Sequence, residues 1–185
     1  MLERLFVEQA APTLAGIKPG SLFSCPPEDF CRGVRLSDWN TQMKSKGVLA
    51  RALGRCGQGR VVVYVYRPRQ LERLLAESAV SAFLAEKGYE SPCDPEACLR
   101  QLTRRILAGD GFPHEVGIFL GYPLEDVEGF IRHKGRSCAL CGAWKVYGDA
   151  ARAQKRFALF THCTNVYKRL FAAGTPLIRL TVAVF

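Results

Sequence analysis

Val61-Val-Val-Tyr-Val-Tyr66 is six residues of β-branched and aromatic side chains with no polar residue to mark a solvent side. Side chains alternate across a strand, so a run that is apolar at both parities is suited to burial on both faces. The stretch is expected to be the central strand of a sheet, and the remainder of the chain is read outward from it. Downstream, Pro68 opens a helix over 68–77, and 79–88 continues as a second helical piece closed by Gly88. Asp94-Pro95-Glu96 combines an N-cap, a proline at the first helical position and an acid in the first turn, which predicts a helix over 95–108. Upstream, Ser21-Leu-Phe-Ser-Cys25 reads as a strand ended by Pro26-Pro27, while 28–46 and 48–53 read as helical with a break near Gly47.

The flanks complete this pattern. The first ten residues alternate charged and apolar side chains as an amphipathic helix does. Past Gly111, a helix pair is expected over 113–120 and 123–132, a short strand over 143–147, a long helix over 149–172 and a final strand over 178–184. Separated strands and helices of this kind predict a single α/β or α+β domain over residues 1–185. Its small mixed sheet would use strands 21–25, 61–66, 143–147 and 178–184, packed by several helices.

Composition narrows the function classes. The 185 residues are 48% hydrophobic and 23% charged, enough to bury a core without disulfides. Arg or Lys interrupts every apolar run before the roughly 18 residues a membrane span requires. The opening segment lacks the apolar core and small-residue cleavage site of an export signal, so a cytoplasmic setting is expected, and the eight cysteines are then reduced thiols. The formal charge is +9, with 18 Arg against 8 Lys, which favours planar anions as ligands. Between Trp39 and Leu71 there is no acid, and Lys44, Lys46, Arg51, Arg55, Arg60, Arg67 and Arg69 make a local positive field.

Phe112-Pro-His-Glu115 and Leu120-Gly-Tyr-Pro123 resemble the paired PHE and LGYP motifs of a bacterial domain-of-unknown-function family found mostly in anaerobes. Ala11-Pro-Thr-Leu-Ala-Gly-Ile-Lys18 and Gly142-Ala-Trp-Lys-Val-Tyr-Gly-Asp149 resemble it too, in the same order. The resemblance spans essentially the whole chain and implies a cytoplasmic stand-alone domain, with no reaction or ligand attached.

Chemistry therefore has to come from the residues. His114 and Glu115 follow Pro113 at the amino end of a predicted helix, where the macrodipole favours a neutral imidazole and a charged carboxylate. Adjacent helical residues point about a hundred degrees apart, so the two do not share one small site unaided. A thiol nucleophile needs a nearby base or cation, and Cys25, at the carboxyl end of its strand, is the candidate partner of His114; Cys25, His114 and Glu115 form the catalytic expectation. Lys18, Tyr122, Trp144, Lys145 and Tyr147 lie where Gly or Pro turns adjoin strand ends, and are expected to wall and charge a ligand site. Cys138-Ala-Leu-Cys141 has the spacing of a metal knuckle or dithiol turn. With Cys163 it gives a candidate metal set, although a structural zinc site wants four ligands and the motif is not followed by a helix.

The leading expectation is a protein that binds a small anionic or metal-containing ligand with Cys and His chemistry; a thiol-dependent enzyme is one form of that function, and a metal ion is the one cofactor the residues suggest. Its rival is a non-catalytic metal or redox module at Cys138 and Cys141. Third is nucleic-acid binding, since 114–132 has helix-turn-helix spacing. Glu125, Asp126 and Glu128 at the front of its second helix would repel a phosphate backbone, so nucleic acid is not the expected partner.

Overall fold

The computed structural model of the protein describes residues 2–28, 36–55, 59–108 and 111–183. The stretch Val61–Tyr66 is a strand, and all six residues are buried. In chain order it is β3, flanked by β1 (Gly20–Cys25) and β2 (Leu49–Arg55) in an antiparallel sheet of order β1-β3-β2. The register runs from Gly20 opposite Tyr66 to Cys25 opposite Val61, and from Leu49 opposite Tyr66 to Arg55 opposite Val61, with an irregularity between Ala52 and Gly54.

Alternation along β3 assigns each residue to one of two cores. Val61, Val63 and Val65 join Phe23 and Cys25 in a cluster built with Phe6 and Leu14 of α1 (Leu2–Leu14), Trp39 of α2 (Leu36–Met43) and Tyr167 of α8 (Ala150–Ala172). Val62, Tyr64 and Tyr66 face the other way, onto Leu71 and Leu75 of α3 (Pro68–Leu75), Leu84 of α4 (Ser78–Glu86) and Leu99 and Leu102 of α5 (Pro95–Ala108). On this second side also lie the single turn α6 (Val116–Phe119) and α7 (Leu124–Arg132). A third, smaller cluster joins a two-stranded hairpin, β4 (Leu140–Cys141) and β5 (Lys145–Val146), to α8 through Trp144, Val146, Ala153 and Phe160. The fold is mixed α/β, and no helix among the described residues is long and apolar enough to cross a membrane.

Several expectations need correction. Residues 49–55 form a strand and not the expected helix: Leu, Ala and Arg are helix formers, but a β3 buried on both faces still needs hydrogen-bond partners along both edges, and this segment fills the second one. The expected strand over 178–184 is instead a one-turn helix, α9 (Leu177–Leu180), entered through Pro176; beyond it the chain is tied back by the Val182 amide donating to the Leu14 carbonyl. Residue 184 lies outside the described residues, as do Cys31, Cys56 and the part of the expected 28–46 helix between residues 29 and 35. The strand over 143–147 shrinks to Lys145–Val146 and pairs only with its own hairpin, so the main sheet is antiparallel and not mixed.

The basic segment is also more structural than its sequence suggested. Arg67 is 1% exposed, and its guanidinium donates to the carbonyls of Thr13, Leu14, Lys46 and Val182, at 2.6, 2.6, 3.1 and 2.8 Å. Arg60 donates to the Ser24 hydroxyl and carbonyl, and Arg51 pairs with Glu96. Three of the seven cations between Trp39 and Leu71 thus tie segments together.

Candidate functional site

The site is organised by one carboxylate. Asp126 lies in the first turn of α7, is 2% exposed, and accepts three hydrogen bonds: from the Trp144 indole at 2.7 Å, the Tyr147 amide at 2.7 Å and the Gly148 amide at 2.8 Å. It holds the β4–β5 hairpin against α7 from inside. Two glycines permit the approach. A Cβ at Gly129 would collide with the Tyr147 ring, and one at Gly142 with the Phe157 ring of α8, so the hairpin can lie between these helices only with hydrogen at both places.

Pinned this way, Trp144 stacks on Tyr122 with ring centroids 4.8 Å apart and meets Phe157 edge-on at 4.5 Å. Between that pair and α7 lies a cavity of about 400 Å³. Val116, Gly117, Val127 and Trp144 form its buried interior, and Phe130 of α7 walls one side. Phe112, His114 and Cys141 stand exposed at its mouth. Lys145 is half-buried in the wall, its ammonium 5.9 Å from the Phe130 centroid and donating to the Gly135 carbonyl at 2.6 Å. The His114 ring meets Phe130 edge-on at 4.9 Å. A cavity of this size, walled by aromatic and aliphatic groups with a few polar groups at one side, has the make-up of a small-molecule site.

Five of the residues singled out from sequence therefore converge: His114, Tyr122, Cys141, Trp144 and Lys145. Lys18 adjoins them without lining the cavity, its ammonium 5.5 Å from the Tyr122 and the Phe160 ring centroids. Burial, with the neighbouring Arg156 charge, lowers the Lys18 pKa to about 8. Tyr147 supports the hairpin from outside, its hydroxyl donating to the Arg136 carbonyl and its ring stacked on His133.

The others go elsewhere. Cys25 is fully buried with Phe23 in the cluster on the α1 side of the sheet, whereas the cavity interior belongs to the cluster on the opposite side, so the structure does not bring Cys25 and His114 together. Glu115 is 5% exposed and turns from the cavity to accept from Arg105 at 2.8 Å and from the Tyr89 hydroxyl at 3.3 Å. His114 and Glu115 occupy a turn that precedes the four residues of α6, so the expected helix over 113–120 is shorter, and its macrodipole is too small to govern either group. Cys138 and Cys141 sit on the hairpin, while Cys163 lies in the cluster with Tyr167, where burial raises its pKa. Among the described residues no three His, Cys, Asp or Glu side chains are grouped to hold a metal ion.

Sequence reasoning missed Asp126, Phe130 and Arg156. In the sequence Asp126 is one of three acids at a helix start, which its position explains fully; only its burial separates it from Glu125. Arg156 donates to the Gly121 carbonyl at 3.0 Å and lies over Trp144 at 5.3 Å, a role no spacing on α8 announces.

No curated protein and no solved structure matches the chain. The model of one family, described as Protein of unknown function (DUF3793), matches residues 6–181, and the chain belongs to that family.

Proposed function

We propose that the protein binds a small organic anion with a flat, apolar body in the cavity between α7 and the hairpin. The observation that carries this reading is the cavity of about 400 Å³ itself, with aromatic walls on two sides and the Lys145 ammonium in its lining; the Asp126 carboxylate, also in the lining, is already engaged by three N–H donors. Tyr122, Trp144 and Phe130 offer ring faces and edges to a flat body, and Lys145 offers a charge-assisted hydrogen bond to an oxyanion. His114 and Cys141 at the mouth are the groups a bound ligand would meet on entry, so the thiol placed to react with it is Cys141 and not the buried Cys25.

The test uses a matched pair of probes, 1-anilinonaphthalene-8-sulfonate and the uncharged N-phenyl-1-naphthylamine. Both should bind the folded protein at one saturable site and quench Trp144, while Trp39, buried in the α1-side cluster, stays constant. Lys145→Met should weaken the sulfonate about tenfold or more, the loss of one charge-assisted bond, and leave the uncharged probe unchanged. No saturable binding of either probe would end the reading; equal losses for both would end its anionic part.

A further inference from the structure

Lys18 is 9% exposed, yet among the described residues its ammonium has neither a hydrogen-bond acceptor nor a carboxylate; it touches only the faces of Tyr122 and Phe160. Beside it on α8 is a second cation, Arg156, whose guanidinium lies 5.3 Å from the Trp144 centroid and 5.7 Å from that of Phe160. Arg156 spends one N–H on the Gly121 carbonyl, and among the described residues it has no ion pair. The acid whose field reaches it is Asp126, and both Asp126 oxygens are already committed to three N–H donors. Arg152, one turn earlier on α8, adds a third positive charge that opposes that of Arg156. Buried charges are ordinarily paired, because desolvation costs more than aromatic faces return. Among the described residues, this corner sets three cations against one acid, whose oxygens are already taken.

We infer that Lys18 and Arg156 form the seat of a bound oxyanion, a carboxylate or a tetrahedral sulfate or phosphate group, held against the outer side of the Tyr122 and Trp144 pair. The oxyanion supplies the missing acceptor for three ammonium protons and meets the planar fork of the guanidinium. Tyr122 and Trp144 are also cavity walls, so an anion here braces the same rings that the proposed ligand would contact. The inference does not rest on the cavity reading: it needs no ligand in the cavity, and its probes lack an apolar body.

The charged and titratable groups facing Lys18 are Arg156 and Tyr122; burial raises the Tyr122 pKa, so Tyr122 stays neutral through the relevant range. An anion that requires the ammonium form must therefore draw a proton onto Lys18 when it binds near pH 8. Sulfate and acetate are the probes, because neither titrates there. Calorimetric titration at pH 8 in two buffers of different ionisation enthalpy should show one saturable site with proton uptake. Uptake should vanish at pH 6, and affinity should fall about tenfold for each pH unit above 8.

Lys18→Met and Arg156→Met should each weaken binding at least tenfold at pH 7, while leaving the far-ultraviolet circular dichroism unchanged. Sulfate alone binding assigns a tetrahedral oxyanion, acetate alone a carboxylate, and both together a site that takes either. No saturable site for either anion, an affinity that does not fall as rising pH removes the ammonium proton, or binding unaffected by both variants overturns the inference. The pH series uses the unaltered protein and so decides the matter even if a variant fails to fold.

Discussion

Removing the Asp126 carboxylate should release the β4–β5 hairpin while the sheet and its two clusters stay folded. The carboxylate accepts from the Trp144 indole and from the Tyr147 and Gly148 amides at 2.7, 2.7 and 2.8 Å, with 2% of the residue exposed. Hydrogen bonds to a charged group contribute about 1.5–3 kcal/mol each, and a stranded buried donor costs about 1–3 kcal/mol. Three donors stranded by Asp126→Ala would sum beyond what so short a hairpin can hold. It should open and let water reach the amides, which caps the loss at about 3–5 kcal/mol. Asp126→Asn keeps the shape and can still accept from both amides, but it turns an NH2 toward the indole N–H, so about 2–3 kcal/mol should be lost.

Urea unfolding followed by Trp144 emission in a Trp39→Phe background, and separately by far-ultraviolet circular dichroism, distinguishes local from global loss. In Asp126→Ala the Trp144 transition should come first and the helical signal later. Hydrogen exchange at the Tyr147 and Gly148 amides should become fast. The cavity probes should bind at least tenfold more weakly, because Trp144 and Lys145 ride on the hairpin. A variant within about 1 kcal/mol of the unaltered protein, with both amides still protected, would refute the account of Asp126 as the organiser of the site.

Other consequences follow from the same geometry. Arg67→Met strands four carbonyls from α1, the 44–46 turn and the C-terminal segment, and should cost about 3–5 kcal/mol by denaturant titration; Arg67→Lys should recover little of it, since an ammonium cannot span that fork. Gly142→Ala puts a methyl into the Phe157 ring and should disturb Trp144 emission more than helix content; an unchanged probe affinity would show that the turn can shift freely. The lowered Lys18 pKa also makes stability depend on pH. Because its folded value of about 8 lies below the ordinary 10.5, the folded protein binds fewer protons than the unfolded chain between these pH values. The penalty for burying the charge is then full below pH 8 and is relieved as pH rises to about 10.5, with the gap worth about 3 kcal/mol. Stability relative to Lys18→Met should accordingly rise across that window, and a flat difference would contradict it.

Much of the frame was legible in the residues because it rests on local rules. Val61–Tyr66 could only be a strand buried on both faces, since it offers neither parity to water, and the structure places it between two partners. Asp94-Pro95 marked the start of α5, and Asp149 that of α8, where its side chain accepts from the Arg152 amide. Both rest on backbone donors that a neighbour in sequence can satisfy. Tyr122, Trp144 and Lys145, in segments where turns adjoin strand ends, line one cavity with His114 and Cys141.

What the sequence could not decide was every matter settled by a partner far along the chain. Residues 49–55 have helical propensity and became a strand because β3 had an open edge, a demand invisible within the segment itself. Cys25 and His114 parted because strand alternation sent Cys25 to the α1 side of the sheet with Phe23, while His114 belongs to a turn on the other. Asp126 is indistinguishable from Glu125 as an acid near a helix start; tertiary packing alone buried one of them under an indole and two amides. In this protein the sequence by itself determined the central strand and the capped helices, through side-chain parity and backbone valence. Only the tertiary structure decided the strand pairing, the organising carboxylate and the placing of Lys18 and Arg156 together against aromatic rings, because each depends on which distant groups are shut away from water together.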